Sequence, residues 1–128
     1  MENLRVLLVD DENELVCTME ERLKLRDIHA EFTLSGAEAL ERLREKEFDV
    51  VVLDIHMPGT SGLDVMKEIK KIHPETEVIL LTGRGSEKHR EIGLQLGAYD
   101  YVVKPINIEK LIEKMKSAAE KKRGGRSE

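Results

Sequence analysis

The chain has 128 residues and a formal charge of −5 at neutral pH, long enough to bury one hydrophobic core and the length of a single domain. The acidic balance argues against broad nucleic-acid binding, and a single cysteine, Cys17, rules out an internal disulfide. No run reaches transmembrane length, and Met1-Glu2-Asn3 leads straight into a strand without the basic flank and apolar stretch of a signal peptide, so no membrane contact and a cytoplasmic location are expected.

Apolar runs alternate with helical patterns, the signature of repeated βα units and of an α/β fold. A first strand is predicted near 4–9, followed by a helix whose Leu15, Val16, Met19 and Leu23 recur at helical spacing, with Cys17 as a small core hydrophobe. The second strand, near 28–34, alternates Ala30, Phe32 and Leu34 against His29, Glu31 and Thr33, as a half-exposed edge strand should. Its helix presents Ala37, Leu40 and Leu43, and Ser35 with Glu38 has capping-box spacing. The third strand, 49–53, and the fourth, 77–81, are apolar throughout like the first, which suits strands covered on both faces. Between them Val65, Met66, Ile69 and Ile72 mark a third helix, with Ser61 and Asp64 at its start. The fourth helix, near 86–96, is poorer: Ile92 and Leu96 are apolar, but Gly93 interrupts it at a cost of about 1 kcal/mol relative to alanine, making it the element expected to move. A fifth strand near 99–103 leads to a last helix over 107–122, with Asn107 as N-cap and Ile108, Leu111, Ile112, Met115, Ala118 and Ala119 inward. Gly124-Gly125 is its expected stop, so that 1–122 forms the domain and 123–128 a linker or disordered tail. Lys110, Lys114, Lys116, Lys121, Lys122 and Arg123 are expected on a solvated basic face of that helix, and His29, His73 and His89 on the surface.

The chemistry-bearing residues fall at the trailing ends of these strands. Asp10 and Asp11 follow the first, Asp54 the third, Thr82 the fourth and Lys104 the fifth. In an open parallel sheet the strand C-termini share one edge, so these groups meet in a crevice built from four loops. Three carboxylates about 5 Å apart repel by roughly 3 kcal/mol per pair at an effective dielectric near 20. Protons, Lys104 or a cation must relieve them. A hard divalent ion answers most simply, since Mg²⁺ takes one or two carboxylates and keeps coordination places for phosphate oxygens. Each residue alone has a duller use: a loop aspartate at Asp54, a helix-dipole acid pair at Asp10-Asp11, a strand-end hydroxyl at Thr82 and a turn lysine at Lys104.

The segments VLLVDDE, VVLDIHMPGTSGLD, ILLTGRG and LGAYDYVVKP, in this order and spacing over residues 4–122, resemble the receiver domain of bacterial two-component response regulators. The resemblance implies a flavodoxin-like, doubly wound five-stranded parallel sheet of order 2-1-3-4-5 with five helices. It further implies that Asp54 accepts a phosphoryl group from a sensor histidine kinase or phosphotransfer protein, and that the domain catalyses its own phosphorylation and slow dephosphorylation. Asp11 and Asp54 would be direct Mg²⁺ ligands, Asp10 would act through water, and the backbone carbonyl of His56 would complete the set. Lys104 and Thr82 would take phosphoryl oxygens, with a cis Lys104-Pro105 bond. Thr82 and Tyr101 would form the switch, which reshapes the face made by the fourth helix, fifth strand and fifth helix. An output domain or downstream protein would read that face, and a homodimer would use it too. Tyr101 also has an ordinary reading as a half-buried strand aromatic.

Three positions bear on the lifetime of the signal. Gly83 leaves the mouth open, whereas His56 and Arg84 are bulky polar groups placed to order or exclude water, so Arg84→Ala is expected to change the dephosphorylation rate. An aspartate-nucleophile phosphohydrolase would need an acid where His56 stands, and no GxxxxGK[ST] or GxGxxG motif is present. The rival reading is a receiver-like interaction module that takes no phosphate. The LTGRGS and LGAYDYVVKP segments also look like receivers attached to ATP-dependent transcription activators.

Overall fold

The computed structural model describes residues 4–57, 60–83 and 85–127. Twelve elements follow one another: β1 (Val6–Val9), α1 (Asn13–Lys24), β2 (Ala30–Thr33), α2 (Gly36–Glu45), β3 (Val50–Asp54), β4 (His56–Met57), β5 (Thr60–Ser61), α3 (Gly62–Ile72), β6 (Glu77–Thr82), α4 (Glu87–Gln95), β7 (Asp100–Val103) and α5 (Ile108–Ser127). Five strands pair in parallel in the order β2-β1-β3-β6-β7. Counted among the sheet's own strands this is 2-1-3-4-5, the expected flavodoxin-like order. The antiparallel pair β4 and β5 lies outside the sheet and was not foreseen, since each strand is only two residues long.

Strand side chains alternate between faces, and each face has its own core. Val6, Leu8, Val50, Val52, Ile79 and Leu81 pack with Val16, Met19 and Leu23 of α1 and with Leu111, Ile112, Met115, Ala118 and Ala119 of α5. Leu7, Val9, Val51, Leu53, Val78 and Leu80 pack with Ala39 and Leu43 of α2 and with Val65, Met66 and Ile69 of α3. The unbroken apolar runs thus follow from cover on both sides, and β1, β3 and β6 are central as predicted. Among the described residues no helix is long and apolar enough to cross a membrane.

Capping follows the sequence at α2 and α5, whereas at α3 Ser61 caps Leu63 and not Asp64, the expected partner. Ser35 Oγ accepts from Glu38 N at 3.2 Å, while Glu38 Oε1 accepts from Leu34 N at 3.2 Å. Ser61 Oγ accepts from Leu63 N at 3.2 Å, and Asn107 Oδ1 from Lys110 N at 3.0 Å. The Lys104-Pro105 bond is cis.

Several side chains depart from expectation. In α2 the buried alanine is Ala39, with Ala37 exposed, because the face set by Leu43 falls four residues earlier at 39. Ala30 and Phe32 of β2 share the inward face as predicted and join the α1 side, but Thr33 is buried and Leu34, past the strand end, is exposed. Cys17 is only partly covered, its thiol 3.6 Å from Asn13 Oδ1. In α4 the buried residue is Gly93, whereas Ile92 is exposed. A Cβ at Gly93 would stand 2.3 Å from Leu80 Cδ1, so this glycine brings α4 close to β6. His73 is tied inward, its Nε2 2.6 Å from Leu43 O. Helix α5 runs through Gly124-Gly125, since glycine, unlike proline, keeps its N–H and only lowers helix propensity.

The basic face of α5 is partly internal. The side chain of Lys122 is fully buried, with Nζ 3.4 Å from Asp49 Oδ1. Asp49 also accepts from Arg5 N at 3.0 Å and pairs with the Arg5 guanidinium at 3.3 Å. Beside it, Glu77 lies 3.9 Å from Lys70 Nζ and 3.8 Å from Lys121 Nζ. Arg5, Asp49 and Glu77 stand at the starts of β1, β3 and β6, so this network occupies the amino-terminal edge of the sheet. The side chain of Arg123 lies outside the described residues.

Candidate functional site

The opposite edge gathers the predicted acids. β1 ends at Val9 and β3 at Asp54, paired side by side with Val9 opposite Leu53, so Asp10, Asp11 and Asp54 emerge together. One carboxylate oxygen from each lies within 4.8 Å of the others. Asp10 and Asp54 are buried and Asp11 is exposed, giving the cluster a floor and an open rim.

Backbone donors fix the two buried acids. Asp10 Oδ1 accepts from Glu12 N at 3.0 Å, and Asp54 Oδ1 from His56 N at 3.0 Å. Lys104, just past β7, projects its ammonium between the remaining oxygens, 3.0 Å from Asp10 Oδ2 and 3.6 Å from Asp54 Oδ2. The contact with Asp10 is an ion pair without hydrogen-bond alignment, and Asp10 Oδ2 has no hydrogen-bond partner among the described residues. Lys104 is drawn closest to Glu12 Oε1, at 2.9 Å.

Thr82 is placed by register. Asp54 pairs with Leu81, Thr82 pairs with Val103, and Lys104 N donates to Thr82 O at 2.8 Å. Residue 82 thus stands at the strand end, one step past the partner of Asp54 and joined by its backbone to Lys104. Thr82 is fully buried, and its Oγ1 has no hydrogen-bond partner among the described residues. Burying a hydroxyl unpaired costs about 1–3 kcal/mol, so this oxygen is poised for an acceptor.

Charge is unbalanced here. Burial first, then the charge of Asp10, pushes the Asp54 carboxyl up to about 6 from an ordinary 3.8, against the pull of the His56 N–H and Lys104. Burial alone would lower Lys104, but its contacts with Glu12 and Asp10 and the charges of Asp54 and Asp10 hold it above its ordinary value. Three hard oxygen donors around one point suit a hard divalent cation. Asp10 Oδ2, paired with Lys104 but without a hydrogen bond, and Thr82 Oγ1, with none among the described residues, are atoms that an ion and an anionic ligand would satisfy.

His56 and Tyr101 stand apart from this cluster. The His56 imidazole turns to α4, Nε2 3.0 Å from Ser86 Oγ and the ring edge-on to His89 at 4.9 Å. His89 therefore has a ring partner. Tyr101 lies two residues before Val103 in β7, with its ring near Arg90 and Lys114. Gly83 opens the mouth as expected: a Cβ there would meet nothing within 4 Å. Pro58, Gly59 and Arg84 lie outside the described residues.

Sequence reasoning passed over Glu12 and Gly62. Glu12 follows the acid pair directly, a signal available in the third acid of the run. Gly62 opens α3 against the backbone of Asp54, where a Cβ would fall 2.5 Å from Asp54 O. Its signal was a glycine just inside a helix start, where a side chain would normally be tolerated.

A family model described as the response regulator receiver domain matches residues 6–116. The transcriptional regulatory protein CpxR of Klebsiella pneumoniae is 39% identical over 113 residues, covering 88% of this chain and 48% of that protein. The chain thus spans about half the length of the curated relatives it matches. A response regulator receiver domain protein from Clostridium thermocellum superimposes with a TM-score of 0.89 at 31% identity, covering 94% of this chain and 97% of that one. NtrX from Brucella abortus gives 0.91 at 28% identity, covering 98% of this chain and 29% of that one.

Proposed function

The chain belongs to the response regulator receiver domain family, whose general role is phosphorylation-dependent signalling in two-component systems, and from that premise we propose that Asp54 is its phosphoryl acceptor. The donor is a phosphohistidine of a sensor kinase or phosphotransfer protein. An Asp54 oxygen attacks phosphorus, the P–N bond breaks with its electron pair returning to the imidazole, and an acyl phosphate forms. With a carboxyl near 6, on the order of nine-tenths of Asp54 is ionised at pH 7. The nucleophile is therefore ready.

One observation carries this reading: three carboxylates converge, a single lysine faces two of them, and a buried threonine hydroxyl at the same sheet edge lacks a partner among the described residues. Asp11 and Asp54, with the His56 carbonyl and Asp10 through water, would hold Mg²⁺. When bound, the ion supplies charge neutralisation between attacking and phosphoryl oxygens. Lys104 exchanges its carboxylate contacts for a phosphoryl oxygen, and Thr82 donates to another. Satisfying Thr82 draws the end of β6 toward the site, and Tyr101 moves in response, altering the face of α4, β7 and α5. Residues 1–122 then act as the receiver and 123–128 as the connection to an output domain or partner, in the cytoplasm.

Incubation with Mg²⁺ and acetyl phosphate is expected to add one labile phosphoryl mass, lost in Asp54→Ala. No gain in the parent chain favours the interaction module instead.

A further inference from the structure

Tyr101 lies where two helices from opposite faces of the sheet reach one edge strand. β7 ends the sheet order. Leu96, next to α4, and Tyr101 both pack on the α2–α3 core, whereas α5 packs on the other face. The Arg90 guanidinium of α4 stands 5.0 Å from the Tyr101 ring centroid, and the Lys114 ammonium, brought round the edge from α5, stands 5.6 Å from it. Both distances fall within cation–π range.

The two cations are held unequally. Lys114 Nζ donates to Asp100 Oδ2 at 2.8 Å and to Tyr101 O at 3.1 Å, bonds independent of where the ring points. Among the described residues Arg90 has one ion pair, 3.5 Å to Glu87 on its own helix, and its side chain is only 16% exposed. The strand register also ties the ring to the site. Leu80 pairs with Tyr101 and Thr82 with Val103, so Thr82 and Tyr101 project from the same face of adjoining strands, two steps apart.

We propose that Arg90 and Lys114 clamp the Tyr101 ring in its resting position and thereby set how much of the unphosphorylated chain is already switched. The clamp rests on the reading above, in which Tyr101 moves when Asp54 carries a phosphoryl group. Arg90 is the jaw that releases and Lys114 the fixed one, so Arg90 is a positioning residue acting through Tyr101. A ring that leaves forfeits both contacts, each worth on the order of two- to fivefold in an equilibrium at a partly exposed site. By linkage, whatever the clamp takes from the switched state it takes equally from the affinity for a phosphoryl mimic.

The test follows tyrosine ring and Thr82 amide NMR shifts in the full chain while beryllofluoride is titrated at saturating Mg²⁺. Arg90→Met keeps the side-chain length and removes the charge. It is expected to move the resting Tyr101 shifts toward the beryllofluoride-bound position and to tighten beryllofluoride binding by the same two- to fivefold, with Arg90→Lys restoring part of both. Adding Asp54→Ala should abolish the beryllofluoride response yet keep the resting displacement caused by Arg90→Met. If Tyr101 responds to beryllofluoride in the parent chain while Arg90→Met changes neither quantity, the clamp is wrong and the receiver reading stands. If Tyr101 does not respond although Asp54 binds beryllofluoride, the clamp falls together with the proposed switch.

Discussion

The two edges of one sheet bury the same kind of group and treat it in opposite ways. At the amino-terminal edge Asp49 and Glu77 meet Arg5, Lys122, Lys70 and Lys121. At the carboxyl-terminal edge Asp10 and Asp54, gathered with Asp11, meet Lys104, which Glu12 also claims. Counter-charge is supplied from within at one edge and left for ligands to complete at the other. A buried carboxylate is thus a fastener or a functional group according to whether the chain satisfies it.

Exchanging the lysines tests this contrast most severely. Lys104→Met is expected to lower phosphoryl-dependent switching by at least about a hundredfold, read from Tyr101 shifts, because a charge-assisted contact to the phosphoryl group disappears. At saturating Mg²⁺, where a cation still relieves Asp10 and Asp54, its melting temperature should scarcely fall. Lys122→Met should do the reverse, leaving phosphorylation intact while costing about 3 kcal/mol in urea unfolding, since the buried pair it makes with Asp49 is broken from one side. Equal losses of stability in both variants would erase the distinction between the edges.

Neutralising the acids should give opposite signs. Asp49→Asn weakens Lys122's pairing and is expected to destabilise the chain by about 2–3 kcal/mol. Asp54→Asn, in chelator, is expected to stabilise it by about 1–2 kcal/mol, because it removes a carboxylate whose ionisation the fold resists.

The same asymmetry predicts a pH profile. Asp54 titrates near 6 in the fold against an ordinary 3.8, so the folded state binds the proton more tightly. Its contribution is fully present below the ordinary value and is lost as pH rises through 6. Metal-free unfolding free energy should therefore decline by about 1–2 kcal/mol between roughly pH 4 and 6.5, after allowance for solvent at the mouth. Asp54→Asn should lack that component, and Mg²⁺ at neutral pH should offset it. A smaller effect is expected at the rim: Gly83→Ala meets no neighbour and should leave stability within about 0.5 kcal/mol while slowing acetyl phosphate entry.

The carboxyl-terminal edge was legible in the sequence because its residues sit in one repeated place, the end of an apolar run. Strand burial and the caps at Ser35 and Asn107 were legible for a similar reason: neighbours within a few residues decide them. The other edge was not. Lys122 reads as one more surface lysine until α5 returns it to Asp49, 73 residues earlier in the chain. Ala37 and Ala39 are equally small, and the four-residue step back from Leu43, not their own chemistry, selects 39. Glu12 becomes Lys104's partner through a contact 92 residues apart. Gly93 looked like a weakness in α4 because its use, proximity to Leu80, is invisible along the chain.

Gly62 shows how far such a non-local requirement reaches. The helix α3 begins so close under Asp54 that a methyl group at 62 would press on its carbonyl and on Ile55 Cα, 2.6 Å away. A random mutagenesis screen for signalling loss should therefore recover lesions at this glycine, although it carries no functional atom. The geometry of Asp54 is inherited from the missing side chain on another element, and suppressors of such lesions should map to the start of α3 rather than to the acids.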